Sequence, residues 1–330
     1  MPELPEVETM CRGIRPIIGS RVARVEQPPC ACRPCRIEPP ITEIHRSRVG
    51  QLVSDIQRRG KRVMIVFEDQ YRLVIEPRMS GLVLLADPPG VDHLRLRIEF
   101  CSEQTSAAER LGPDERPGRA GSAANEAAAG MSRTVPNARA VPSDSPLLVW
   151  DRRGLGTIRL MSPTEYESQI DARLGEDALL ISEPTLRERL SRSGRAIKVA
   201  LLDQTAVAGI GNLYAAEILF VAGIDPRRRC DQLSRPQWSR LHAAIGRVLN
   251  QAIAHEGSTL SDGTYRNALN QSGGYQNMHR VYDRAGELCS RCHEGTIRRI
   301  VQAQRSTFFC PKCQRRTGKH VAVGEIGFSD

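Results

Sequence analysis

The sequence predicts a multidomain α+β protein: an N-terminal β-sandwich or barrel opened by a short helix, a helical middle, and a C-terminal ribbon organised by a metal. Three observations predict it. Apolar residues recur with period two between residues 20 and 162, the period becomes helical after Pro163, and two CxxC pairs stand near the end of the chain. The 330 residues suffice for two or three cores. With 40% apolar, 26% charged and only 4% aromatic residues, those cores must be packed mainly from Leu, Ile, Val and Ala. The longest apolar runs, such as residues 63–67, fall far short of the roughly 18 residues that cross a bilayer, so a soluble protein with no membrane partner is expected. The N-terminus, MPELPEVET, is acidic and proline-bearing, unlike a secretory leader, which predicts a cytosolic location with reduced thiols. The ten cysteines are then read first as metal ligands.

In chain order, Leu4, Val7, Cys11 and Ile14 mark one face of the first helix. Strand-length runs follow at 63–67, 73–75, 82–85 and 147–150, and Leu94, Leu96, Ile98 and Phe100 alternate. Residues 102–146, rich in Ala, Gly, Ser, Pro, Glu and Arg, lack periodicity and are expected to be a disordered insertion between two strands. A helix is predicted after the Gly209-Ile210-Gly211-Asn212 turn, with Leu213, Ala216, Leu219 and Phe220 leading to Gly223. Another starts at Arg235, where Ser234 and Gln237 form a capping box and Trp238, Leu241, Ile245, Val248 and Ala252 line one face. Residues 258–282 read as a long loop. The expected divisions are 1–163, 164–283, 284–320 and a tail, 321–330.

Cys289-x-x-Cys292 and Cys310-x-x-Cys313 have the spacing of a four-thiolate zinc ribbon, with no open coordination position, so one structural zinc is expected. The residues between them predict a two-stranded hairpin with Arg305 beside its tip. Cys11, Cys30, Cys32 and Cys35 fit no such spacing and are expected to be free thiols. The chain carries a formal charge of +9, and between Cys289 and His320 eight basic residues face one acid, Glu294. That surface predicts a nucleic-acid contact. Of the 47 basic residues only four are lysine: Lys61, Lys198, Lys312 and Lys319. Where arginine is the default cation, a lysine marks a place that needs a compact or deprotonatable amine.

Removal of Met1 before Pro2 would leave a secondary amine. With a reference pKa of about 8, such an amine is neutral far more often than a lysine and can form a Schiff base with a sugar carbon. Read from these residues alone, Glu3, Glu6 and Glu8 equally suit a helix start, where acids complement the dipole.

The string MPELPEVETMCRGI resembles the start of the bacterial formamidopyrimidine-DNA glycosylases. The resemblance continues through QRRGKRV, RMSG, VDH, DRRGLG, GIGNLYAAEILFVAGIDP and AQRSTFFCPKC, in that order, over most of the chain. It implies a β-sandwich, a helix-two-turn-helix domain and a zinc finger, with DNA in the cleft between the halves, in a monomer of the bacterial cytosol. The implied activity is excision of oxidised purines (8-oxoguanine and formamidopyrimidines) from duplex DNA, followed by β,δ-elimination at the abasic site. By the same resemblance Pro2 is the nucleophile, Glu3 the acid for ring opening, Lys61 the proton carrier in β-elimination, and Arg305 the phosphate grip for δ-elimination. His93, Arg192, Lys198 and Asn212 are implied DNA contacts, with Glu217 a secondary candidate. Asn212 also reads as a helix N-cap. Met79 and Arg153 match the residues that fill the void left by an extruded base. The sequence departs from the family at Leu155, where an aromatic filler is usual, and at Gly154, where a second basic residue is common; both departures bear on lesion search. Two other readings are weighed: a related endonuclease VIII-type enzyme for oxidised pyrimidines, and a noncatalytic zinc-ribbon protein that binds damaged DNA.

Overall fold

A computed structural model describes residues 2–101, 145–260, 263 and 265–321. The expected insertion at 102–146 lies outside the described residues except for its last two positions, and the tail does so beyond residue 321.

Helix α1 (Leu4–Gly13) opens the chain. Strands β1 (Arg21–Glu26) and β2 (Arg36–Glu38), helix α2 (Ile41–Arg48), and strands β3 (Val53–Arg59), β4 (Arg62–Phe67), β5 (Arg72–Glu76), β6 (Gly81–Leu84), β7 (Leu94–Cys101), β8 (Leu147–Asp151) and β9 (Thr157–Met161) follow. They form a four-stranded sheet, β1-β7-β8-β6, and a five-stranded sheet, β2-β9-β5-β4-β3. All neighbours pair antiparallel except β2 and β9. Val22, Leu82 and Ile98 of one sheet and Ile56, Val63 and Ile75 of the other share one buried cluster, which makes the pair a sandwich.

The second half holds α3 (Pro163–Gln169), β10 (Glu176–Asp177), α4 (Glu183–Leu190), α5 (Ile197–Leu201), β11 (Val207–Ala208), α6 (Asn212–Ala222) and α7 (Arg235–Ala254). Helix α7 starts at the expected capping box and buries the expected face. Helix α6 is apolar around nearly its whole circumference because it has neighbours on every side, α7 on one and the terminal ribbon on another. It ends at Gly223, whose φ of +66° gives the left-handed cap. The ribbon hairpin, β12 (Arg298–Gln302) and β13 (Arg305–Phe309), turns on Ala303 and Gln304, both at positive φ, and rests Ile297 and Phe308 against Ala216 and Phe220 of α6.

Helix α1 joins the halves. Val7, Met10 and Ile14 are fully buried in the sandwich core, and Leu4 is fully buried in the helical core. Each such burial stabilises by roughly 1.5–3 kcal/mol, so neither the register nor the depth of α1 can slip. The Leu4 amide donates to the Gly209 carbonyl (3.1 Å). Gly209 has φ +109°, and a Cβ there would come within 2.4 Å of the Leu4 side chain. Across the same seam Arg58 of β3 donates to both carboxylate oxygens of Asp177 in β10 (2.6 and 3.0 Å) and to Glu8 of α1 (2.9 Å). The residues just before α1 are therefore held between the two halves.

Candidate active site

The Glu3 carboxylate leaves its own helix and lies on the N-terminus of α6, accepting the N–H groups of Leu213 (2.9 Å) and Tyr214 (3.4 Å). Free amides and the helix dipole stabilise a negative charge there. The approach is possible because residue 211 is glycine: a Cβ would sit 2.2 Å from the Glu3 carboxyl carbon. This corrects the reading of Asn212 as an N-cap. Asn212 is the first helical residue and Glu3 does the capping. Its amide instead joins two other elements, accepting from Lys198 Nζ (2.6 Å) and donating to the Ser306 carbonyl in β13 (3.0 Å).

Glu3, Met79, Asn212, Ser258, Tyr282 and Arg305 are among the residues lining a cleft of about 410 Å³. Lys61 stands in the β3–β4 turn, where Gly60 (φ +57°) lets the turn close on Ala208. Burial pushes its amine below the ordinary lysine range, with Arg305 adding to the effect and Glu3 opposing it. Lys198 has no exposed surface. Burial, then the Arg305 charge, lowers its pKa to about 8. Arg305 opens β13 beside the turn. Both lysine amines thus feel the charges of Glu3 and Arg305, the charge pattern of a phosphate-ester site with an acid in it.

The Met79 and Arg153 loops are fastened to each other. Ser80 Oγ donates to Asp151 Oδ1 (2.7 Å) and accepts from the Arg153 amide (3.1 Å), while Asp151 Oδ2 takes the Gly156 amide (2.8 Å). Both Met79 and Arg153 are exposed above this knot. Gly154 has a steric reason: at φ +58° a Cβ would fall 2.2 Å from the Arg33 carbonyl, so no basic side chain fits. His93 turns the edge of its ring to Trp150 and leaves a buried Nδ1 with no hydrogen-bond partner among the described residues. Arg192 is exposed in the turn after α4 and is not among the residues lining the cleft. Glu217, fully buried, accepts the amides of Arg280, Val281 and Tyr282 (2.9–3.0 Å), so it fixes the loop that leads into the ribbon.

Family models match three stretches: the formamidopyrimidine-DNA glycosylase N-terminal domain at residues 1–110, its H2TH domain at 174–264, and a zinc finger found in FPG and IleRS at 286–316. The formamidopyrimidine-DNA glycosylase of Chloroflexus aggregans is 34% identical, over 95% of this chain and 98% of that protein. That of Thermomicrobium roseum is 36% identical, over 95% and 99%. The chain belongs to the formamidopyrimidine-DNA glycosylase family. Among solved structures, a Lactococcus lactis Fpg variant in complex with Fapy-dG-containing DNA has a TM-score of 0.74 at 30% identity, covering 96% of this chain and 100% of that one. The same enzyme in complex with abasic-site DNA gives 0.73 at 29%, covering 95% and 100%. The glycosylase described here therefore acts on damaged DNA, and no helix among its described residues is long and apolar enough to cross a membrane.

The glycosylase's ribbon sulfurs fit one structural zinc. All four lie within 4.8 Å of one another, with Cys289–Cys313 at 3.7 Å and Cys292–Cys310 at 3.8 Å. A tetrahedron of Zn–S bonds about 2.3 Å long has edges of about 3.8 Å. The amides of Arg291 and Gly295 point at the sulfurs of Cys289 and Cys292, as thiolates require (3.4 Å each). Among the described residues no other group of three or more potential ligands converges. Chelating the zinc is expected to weaken duplex binding on the order of tenfold or more, because the phosphate contacts expected of the basic ribbon would go with it, while the sandwich stays folded. Fluorescence anisotropy beside thermal melting checks this; unchanged affinity after verified zinc loss would contradict it.

Three residues of the site were not identified from the sequence. Glu6 reads there only as a dipole-complementing acid, and Tyr214 and Ser258 carry no signal. In the structure Glu6 Oε2 accepts the Glu3 amide (2.8 Å), and Glu6 Oε1 accepts the Tyr214 hydroxyl (2.5 Å) and the Ser258 amide (2.9 Å). Burial raises the Glu6 pKa and Glu3 adds to the rise, with the three donors opposing it. The usable sequence signal is the spacing: Glu6 stands three residues after Glu3, where a capping-box acid reaches back to the first amide.

Lys198 supplies a pH test of the glycosylase. With a pKa of about 8, Lys198 is charged at pH 7 and mostly neutral at pH 9, so the phosphate contact expected of it from the sequence would weaken across that range. Affinity for a duplex carrying a tetrahydrofuran abasic analogue is expected to fall with rising pH, by up to about tenfold per unit above pH 8. Lys198→Arg, charged throughout, should bind with a flatter profile. Equal slopes for the two proteins would contradict the assignment.

Proposed function

We propose that the glycosylase excises oxidised purines and then cleaves the strand as an abasic-site lyase, using Pro2 as its nucleophile. The observation that carries this reading is the seat of Glu3: the residue after Pro2 has its carboxylate fixed on the α6 N-terminus at the cleft it shares with Arg305, where its charge acts on the Lys61 amine. A nucleophile needs this kind of placement next to an acid.

The Pro2 nitrogen, freed by removal of Met1, attacks C1′ as the N-glycosidic bond breaks and the base leaves with a proton. Glu3 takes the nitrogen-bound proton and passes it to O4′ as the sugar ring opens and the nitrogen lone pair completes the iminium. Lys61, its amine kept low by burial, takes a proton from C2′ as the 3′ phosphate departs. Arg305 holds the phosphate that leaves in the second, δ, elimination. Met79 and Arg153 occupy the stack while the nucleotide is out, and Lys198, Asn212, His93 and Arg192 hold the backbone. A Lactococcus lactis Fpg solved with Fapy-dG-containing DNA supports the purine reading. The pyrimidine reading is kept because the same enzyme was also solved with oxidised-pyrimidine-containing DNA.

A panel of duplexes bearing 8-oxoguanine, ring-opened guanine or thymine glycol tests the proposal. Fastest excision of the two purines, with phosphate on both sides of a one-nucleotide gap, is expected. Faster cleavage of thymine glycol would favour the pyrimidine enzyme, and no product from any duplex would favour the noncatalytic binder.

A further inference from the structure

Beneath the cleft runs a hydrogen-bonded string that the scheme above does not use. Glu6 receives the Glu3 amide, the Tyr214 hydroxyl and the Ser258 amide (2.9 Å), and Ser258 Oγ lies 3.0 Å from His279 Nε2. All four side chains are buried, and the string begins at the peptide that joins Pro2 to Glu3.

His279 is buried between two aromatic rings. Its ring meets Tyr275 and Tyr282 edge-on, at centroid distances of 5.7 and 5.8 Å. It borders a second cavity of about 530 Å³, which shares Leu260 and Tyr282 with the cleft. An apolar side chain would fill the slot between the tyrosines, whereas a buried imidazole is costly unless its nitrogens are bonded. Burial and the neighbouring Arg284 and Arg280 lower its pKa to about 4, so the ring is neutral and one tautomer can present Nε2–H to Ser258. That bond holds Ser258, whose amide donates to Glu6 beside the Tyr214 hydroxyl. Every donor in the string then converges on the carboxyl that holds the Glu3 amide.

We propose that His279 is a positioning residue for base excision: through Ser258 it orients the Glu6 carboxyl, and through Glu6 it fixes the Pro2–Glu3 peptide in the attacking geometry. This rests on the proposed nucleophilic role of Pro2. Sub-ångström placement is what such a string supplies, and a displacement of about 1 Å at a reacting centre can cost about a hundredfold in rate.

The test uses the full-length protein with an 8-oxoguanine duplex under single-turnover conditions, and measures affinity for the tetrahydrofuran duplex and thermal stability in parallel. His279→Leu is expected to slow excision by about 10- to 100-fold, with affinity changed less than about twofold. His279→Gln, whose amide N–H reaches a similar point, should recover most of the rate. A structural role alone would not separate Gln from Leu at equal melting temperature. Should His279→Leu fail to fold, Ser258→Ala breaks the string one link further on and should slow excision likewise. A Leu variant at wild-type rate, a Gln variant as slow as Leu, or a fully active Ser258→Ala would each overturn the proposal. A wild-type protein inactive on every lesion would instead remove the proposed function on which it rests.

Discussion

Glu3→Gln is expected to lower single-turnover excision of 8-oxoguanine by about 10²- to 10⁴-fold, the range that one positioned acid contributes, while the duplex still binds. The reasoning is geometric. Glutamine keeps an oxygen that can accept the Leu213 amide (2.9 Å in the native protein), so α6 retains a cap and the fold survives. What disappears is the proton for O4′ and the negative charge set among Lys61, Lys198 and Arg305. Losing a charge at a helix N-terminus costs about 0.3–1 kcal/mol of stability, up to about 2 where partly buried. That is too little to unfold a protein of this size and too little to account for the rate. Glu3→Gln at near-native rate would remove Glu3 from the chemistry and leave it a cap.

The second large effect belongs to Pro2. Acetylating it, or keeping Met1 attached, turns the amine into an amide whose lone pair is delocalised and cannot attack carbon. Borohydride trapping on an 8-oxoguanine duplex is expected to fall to background in either case. Duplex binding should persist, because the phosphate contacts proposed for Arg305, Lys198 and Asn212 do not involve the terminal nitrogen. Loss of binding together with trapping would mean that the modification had disturbed the α1–α6 seam, which thermal melting would show. Undiminished trapping would place the nucleophile elsewhere.

What the sequence disclosed was what its local patterns encode. The strands around residues 63–67 and 94–100, the α7 capping box at Ser234 and Gln237, and the spacing of the ribbon cysteines each lie within a short window, and each is found in the structure. The Glu3–Leu213 bond spans 210 positions. No periodicity in α1 announces that its preceding acid will cap another helix, and so Asn212 read as the cap. Gly154 looked like the loss of a cation, because the Arg33 carbonyl that forbids a side chain there comes from a proline-rich loop more than a hundred residues earlier. The string from His279 through Ser258 to Glu6, where Tyr214 also donates, draws on three separate segments and becomes visible only once they are packed together.

The most direct measurement is the site of covalent attachment. After borohydride reduction on an abasic-site duplex, proteolysis and mass spectrometry should find the sugar remnant on an N-terminal peptide that begins at Pro2, with Met1 absent. A remnant on Lys61 or Lys198, or an adduct formed by protein that still carries Met1, would contradict the account.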